Sequence, residues 1–339
     1  MSTTYNCGIY GGSFNPLHIS HVRCLIEAAN QCQRLIVVLS HGERRHEIDV
    51  RQRYRWLYHL TSHLGNVRIL VLSDNAETKE DYTAEYWHQD AEKVKAFAGE
   101  PIDVVFCGSD YDDNSFWLRC YPQAELKIIP RDEVSSTAIR QDPLAHWDWL
   151  PPVVRPFYAK KVLITGSEST GKSTLTTNLA HYFNTTFLEE VGRDMSERSG
   201  TDTMMLPEDF TDILLHHKIR EAQALQNANR ILFEDTDCLV TLFFLGFLDG
   251  PDQPNNQALA EAIARLNSYD LILFLEPDVT FIQDGGRSPI IAADRLAYSD
   301  QIKQIYRTHG YNFHCISGNY QSRFEQAVTL VNQLIRRQP

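Results

Sequence analysis

Two stretches of this chain carry residue types at spacings that suit phosphate chemistry. Gly166-Ser167-Glu168-Ser169-Thr170-Gly171-Lys172-Ser173 satisfies GxxxxGK[ST] at every position, and an apolar run precedes it while a helical pattern follows. Its glycines let backbone N–H groups turn inward around a phosphate, and the helix N-terminus adds a favourable dipole. Lys172 supplies a mobile positive charge to the β- and γ-phosphates, and the Ser173 hydroxyl suits Mg²⁺. Gly166, Ser169, Thr170, Gly171, Lys172, Ser173 and Thr174 are therefore expected to hold ATP.

Such a loop needs a carboxylate at the end of a neighbouring strand. Ile231-Leu232-Phe233-Glu234-Asp235-Thr236-Asp237 is an apolar run that ends in acids. Asp235 is the expected partner of Mg²⁺ or of the acceptor hydroxyl, with Asp237 as the second choice. Arg287 lies in the glycine loop Asp284-Gly285-Gly286-Arg287-Ser288. A mobile loop there suits a lid whose arginine neutralises charge on a transferring phosphoryl group. Glu190 and Arg193, after the second strand of this half, stand where an acceptor would bind. Acids there fit a sugar diol or a cationic ring, and a plain charged loop fits equally well.

The second stretch is Gly11-Gly12-Ser13-Phe14-Asn15-Pro16-Leu17-His18-Ile19-Ser20-His21. His18 and His21 are three apart at a helix start, so both face the N-terminal dipole. Imidazoles there can hold α- and β-phosphates while charge moves onto leaving pyrophosphate, the glycines let a nucleotide lie close to the backbone, and Gly11, Ser13 and Phe14 are expected to bind ATP. Late in the same half, Val134-Ser135-Ser136-Thr137-Ala138-Ile139-Arg140 places hydroxyls at a helix start, with Arg140 one turn on. Taken alone it reads as an ordinary N-cap; beside the histidine pair, Ser136, Thr137 and Arg140 read as phosphate ligands.

The elements that must position these groups repeat one pattern. Strands are expected at Tyr5–Tyr10, Leu35–Ser40, Val67–Leu72, Ile102–Cys107 and Leu126–Ile129, then at Lys161–Thr165, Thr186–Glu189, Ile231–Glu234, Leu271–Leu275 and Phe313–Ile316. Helices fill the gaps, among them His18–Asn30, Val50–Ser62, Ala84–Phe97 and Arg323–Arg336. Strand, glycine turn and helix in alternation predict an α/β chain of two Rossmann-like parallel-sheet domains. The boundary falls in Leu150–Pro156, where three prolines oppose regular structure. The domains are drawn at 1–152 and 157–339.

The 339 residues carry 32 basic and 44 acidic side chains, a formal net charge of −12. That balance opposes unspecific binding to nucleic acid or an anionic membrane. Seven scattered cysteines without a CxxC pair fit buried thiols in a reducing compartment. No basic-then-apolar leader opens the sequence, and its longest apolar stretch, Cys238 to Leu248, is half of the roughly 20 residues that span a bilayer. A soluble, cytoplasmic protein is expected; self-association is left open.

GGSFNPLHxxH with SSTxIR resembles the HxGH nucleotidyltransferases, which join a phosphorylated small molecule to AMP. Followed by a P-loop half with FEDTD and DGGRS, the whole chain resembles the bifunctional nicotinamide-mononucleotide adenylyltransferase/ribosylnicotinamide kinases of the NadR family. It resembles members without an N-terminal helix-turn-helix module, since the first strand starts within ten residues of Met1. Ser20 departs from the pattern, standing where the motif has glycine and bringing a side chain toward the adenine or ribose. The resemblance implies ATP and Mg²⁺ as co-substrate and cofactor, and ribosylnicotinamide, nicotinamide mononucleotide (NMN) and NAD as partners. It also implies that His18, His21, Ser136, Thr137 and Arg140 hold one ATP, and that Trp87, in the Tyr82–Trp87 stretch, faces nicotinamide. Core packing is the plainer reading of Trp87. The rival assignments are a fused pantetheine-phosphate adenylyltransferase/dephospho-coenzyme A kinase and a nucleotide sensor with a weakened first site.

Overall fold

The computed structural model describes residues 5–78, 81, 83–108, 119–130, 134–200, 204–248, 253–283 and 287–336. By its contacts the chain separates into two compact units, Met1–Val154 and Arg155–Gln338.

Each unit is a five-stranded sheet whose named strands all pair in parallel. The first holds β1 (Tyr5–Gly12), β2 (Cys32–Gly42), β3 (Val67–Asp74), β4 (Val104–Gly108) and β5 (Glu125–Ile129) in the order β3-β2-β1-β4-β5. The second holds β6 (Lys160–Gly166), β7 (Phe187–Leu188), β8 (Ile231–Asp235), β9 (Leu271–Leu275) and β10 (His314–Ile316) in the order β10-β9-β6-β8-β7. Sheets covered on both faces need uninterrupted apolar strands, which is why Leu271-Ile272-Leu273-Phe274-Leu275 is buried along its whole length. The strands expected at Thr186–Glu189 and Phe313–Ile316 are shorter than their apolar runs. Both lie at sheet edges, where a strand is held from one side only.

The covering helices follow a 3.6-residue apolar stripe. Val50–Thr61 buries Arg53, Trp56, Leu57 and Thr61, and Tyr320–Arg336 buries Arg323, Ala327 and Val331. Leu150–Pro156, expected to lack regular structure, is bracketed by a 3-10 turn at Trp147–Trp149 and one helical turn at Arg155–Tyr158. Pro156 fits there because the first helical turn has no N–H partner to lose. Six cysteines are buried as expected; Cys315, on edge strand β10, is exposed. Among the described residues no helix is long and apolar enough to cross a membrane.

One core residue is out of character. Glu234 is fully buried in β8, and neither of its carboxylate oxygens has a hydrogen-bond partner. Burial, reinforced by Glu221, pushes its carboxyl up to about 8. The folded protein thus keeps a proton that the unfolded chain releases above about 4.5. Its stability should fall as pH rises from there to about 8, by up to about 5 kcal/mol, and then level off. Glu234→Gln keeps the site neutral at every pH. Thermal melts at pH 6 and pH 9 should converge for that variant and diverge for the native protein.

Candidate active sites

In the second unit the GxxxxGKS stretch joins β6 to the helix Lys172–Tyr182. Gly166 has φ 146°, and a Cβ there would stand 2.7 Å from the Leu275 carbonyl oxygen, so only glycine fits. Lys172, a residue 9% exposed, donates through its ammonium to the Ser167 carbonyl at 3.0 Å, and the Thr170 hydroxyl donates to the same oxygen at 2.9 Å. The Arg295 guanidinium takes the Ser169 carbonyl at 3.2 Å. With these carbonyls engaged, the N–H side of the loop is left for an anion.

Register brings the strand-end acid to this loop. Asp235 pairs with Ile164 across the β6–β8 ladder and is buried, and its Oδ1 has no partner. Burial and the nearby Glu190 carboxylate push its carboxyl up to about 6, against the pull of Lys172, the Ser173 hydroxyl and Arg193. Arg193 donates to Ser173 Oγ at 3.2 Å and to Glu190 Oε2 at 3.3 Å, joining the start of the helix Val191–Ser199 to the GxxxxGKS stretch. Asp237, the second choice for this role, is also buried, keeps an unpartnered Oδ2 and lines the cavity beyond the loop. It accepts from the Tyr306 hydroxyl at 2.6 Å and from the Leu239 N–H at 3.0 Å, anchoring the helix that begins at Cys238.

Arg287 closes over the loop, donating to Ser169 Oγ at 2.9 Å and to the Ile282 carbonyl. The Ser288 N–H donates to Glu168 Oε2 at 3.0 Å. The rest of that glycine loop, Asp284–Gly286, lies outside the described residues. Beyond the loop a cavity of about 400 Å³ opens, with Glu190, Arg193 and His217 among its polar lining and Phe210, Phe243 and Phe244 among its apolar one. His217 escaped the sequence reading. Its Nε2 meets the Thr236 carbonyl at 3.0 Å, and burial lowers its proton affinity, which keeps the ring neutral.

In the first unit β1 delivers the glycine-histidine stretch and the helix Ile19–Gln31 receives it. His18 is the N-cap residue rather than part of the helix. Its backbone N–H donates to His21 Nδ1 at 3.3 Å, and the two rings stack with centroids 3.7 Å apart. An accepting Nδ1 puts the His21 proton on Nε2, where it can be offered to an anion. Phe14 packs edge-on against the His21 ring at 5.0 Å.

The structure brings the two sequence elements of this unit together. The Ser136 hydroxyl donates to the Pro16 carbonyl at 3.3 Å, and Arg140 donates to the Asn15 carbonyl and, at 3.0 Å, to Thr137 Oγ1. The cap of that short helix is Ser135, whose Oγ accepts from the Ala138 N–H at 3.3 Å. Ser136 and Thr137 are thereby freed from capping. Ser20 is 1% exposed, and its hydroxyl has no partner, so its bulk is absorbed inside the protein. Trp87 lies half-buried against the cluster that contains Leu72 and Cys120, and its carbonyl accepts from the Cys120 thiol. Tyr82 lies outside the described residues.

Comparison with known proteins follows this division. A profile described as cytidylyltransferase-like matches residues 9–142, and one described as an AAA domain matches residues 161–323. The trifunctional NAD biosynthesis/regulator protein NadR of Salmonella typhimurium (strain LT2) is 27% identical over 349 residues, covering 98% of this chain and 84% of that protein. Its Escherichia coli (strain K12) counterpart is 27% identical over 347 residues with the same coverage. The chain is similar to NadR over nearly its whole length. Crystal structures of NadR share the fold throughout. One, in complex with NR, superposes with a TM-score of 0.82 at 21% identity over 99% of this chain and 97% of that one. Another, in complex with NAD and AMP-PNP, gives 0.82 at 20% identity over 100% and 99%.

Proposed function

We propose that this chain makes NAD in two steps, each with its own ATP. The observation that carries this reading is the separation of two phosphate-binding stretches, one per unit, in a chain similar to NadR over 98% of its length.

In the second unit the 5′-hydroxyl of ribosylnicotinamide attacks the γ-phosphorus of ATP. A bond forms from that oxygen to phosphorus, the bond to the β-phosphate oxygen breaks, and NMN and ADP result. Asp235 stands at the strand end to take the hydroxyl proton, Lys172 and Arg287 offset charge on the transferring group, and Glu190 and Arg193 face the acceptor. The buried, unpartnered Asp235 oxygen beside the Ser173 hydroxyl fits Mg²⁺ bound mainly by phosphate oxygens. When bound, such an ion neutralises phosphate charge.

In the first unit an NMN phosphate oxygen attacks the α-phosphorus of a second ATP. The α–β bridge breaks, giving NAD and pyrophosphate. His18 and His21 hold the α- and β-phosphates, with Ser136, Thr137 and Arg140 completing the triphosphate site and Gly11, Ser13 and Phe14 forming its backbone wall. No covalent enzyme intermediate is needed; alignment and cationic groups suffice.

Incubation with ATP, Mg²⁺ and either ribosylnicotinamide or dephospho-coenzyme A tests the assignment. NMN and then NAD should accumulate only from the first. Phosphorylation of dephospho-coenzyme A alone would replace this reading with the pantetheine-phosphate pathway enzymes.

Asp235 gives the kinase step a pH signature. A base must be ionised, and this one titrates near 6. The kcat/KM for phosphorylation should rise about tenfold per pH unit below that value and be flat above it. In Asp235→Asn the inflection should vanish, and adenylyl transfer should show no matching change.

A further inference from the structure

In each unit one arginine occupies an apolar position of its helix. Arg53 shares an inward stripe with Trp56 and Leu57, and Arg323 shares one with Ala327 and Val331. They are 0% and 2% exposed. A guanidinium taken out of water costs several kcal/mol unless its donors are satisfied, and both are engaged around the whole fork.

Arg53 donates through Nε to the Ile48 carbonyl at 2.8 Å, and through Nη1 to the Ser13 carbonyl at 2.6 Å and the Ser40 carbonyl at 3.1 Å. Its Nη2 reaches Glu47 Oε2 at 3.0 Å and lies 2.9 Å from His41 Nδ1. Arg323 donates through Nε to the Gly318 carbonyl at 2.7 Å, through Nη1 to the Thr170 carbonyl, and through Nη2 to the Glu276 carbonyl at 2.6 Å and the Asp278 carboxylate. The arrangement is the same on two unrelated helices. Each arginine takes three backbone carbonyls and one carboxylate, and one of the three carbonyls belongs to a phosphate-binding stretch.

A peptide unit is planar, with its C=O and N–H pointing to opposite sides. Drawing the Thr170 carbonyl toward Arg323 turns the Gly171 N–H the other way, and drawing the Ser13 carbonyl toward Arg53 does the same for the Phe14 N–H. We propose that Arg53 and Arg323 are positioning residues that hold the two phosphate loops in their anion-accepting form before nucleotide arrives. They differ from Lys172, whose ammonium lies on the Ser167 carbonyl and must leave it to reach a phosphate. This inference rests on assigning both loops to ATP and adds how each is kept ready. A lysine cannot replace either arginine, since one compact ammonium cannot span three carbonyls and a carboxylate.

Calorimetric titration of the full chain with AMP-PNP tests it, alongside the KM for ATP of each reaction. The native protein should show two sites. Arg323→Lys should weaken one at least tenfold and raise the KM for ATP of phosphorylation, with kcat less affected and adenylyl transfer unchanged. Arg53→Lys should produce the mirror image. A merely structural role would lower the melting temperature and leave the affinities of the folded protein in place; that result overturns the inference. If a lysine variant loses the melt of its unit, Asp278→Asn or Glu47→Gln decides instead. Selective weakening of the same site supports the clamp, and unchanged affinity refutes it. Two AMP-PNP sites without any NMN or NAD formed would refute the substrate assignment and leave the clamp standing.

Discussion

Lys172→Ala should lower phosphorylation of ribosylnicotinamide by about 10³-fold and leave NAD formation from NMN within about twofold of the native rate. The magnitude follows from what the side chain does. Its ammonium is held almost out of water inside the loop, where a charge acts on a phosphate through a low effective dielectric. Removal leaves the Thr170 hydroxyl still on the Ser167 carbonyl, so the loop should keep its shape while losing its cation. The first unit has its own sheet and its own phosphate-binding stretch, which is why adenylyl transfer is spared. Separate assays of NMN and pyrophosphate production check this. Equal loss of both activities would mean that the chain does not work as two independent sites.

His18→Ala should do the reverse, lowering adenylyl transfer by about 10²- to 10³-fold with phosphorylation intact. The variant removes one imidazole and keeps the backbone N–H that His21 Nδ1 accepts, so His21 retains its tautomer. The ring lost is the stacking partner of His21, and the survivor gains rotational freedom as well as losing a neighbour. The defect should therefore appear in kcat as well as in the KM for ATP. Pyrophosphate release measured at saturating NMN resolves the two. A native rate would remove His18 from the site.

Much of this architecture was legible because parallel strands covered on both faces must be apolar throughout, and glycine turns punctuate them. Leu271–Leu275 was read to the residue. The edge strands of the second sheet were overestimated, because Thr186 and Phe313 gain partial burial without a second ladder, whereas those of the first run beyond their expected ends. The strand–loop–helix setting of both glycine stretches was legible because glycines and hydroxyls in that order break a strand and start a helix. Pairing of Ser136 and Arg140 with the Asn15–Pro16 carbonyls was not, since it joins residues about 120 positions apart. The place of Asp237 after β8 is legible in the sequence, but the contact of its Oδ1 with Tyr306 is not, since 69 positions separate the two. Arg53 and Arg323 left a trace that went unread: a charged residue in register with Trp56 and Leu57, or with Ala327 and Val331, on the buried stripe of an amphipathic helix.

Both phosphate loops issue from the middle strand of their sheets, β1 in one and β6 in the other. A middle strand is gripped on two flanks, so the root of each loop tolerates little sequence drift. The walls proposed to face the rest of a substrate are helices and peripheral connections, fastened from one side and free to be recut. Such a scaffold separates two inheritances: how a triphosphate is grasped stays fixed, while the molecule it is spent upon can be exchanged.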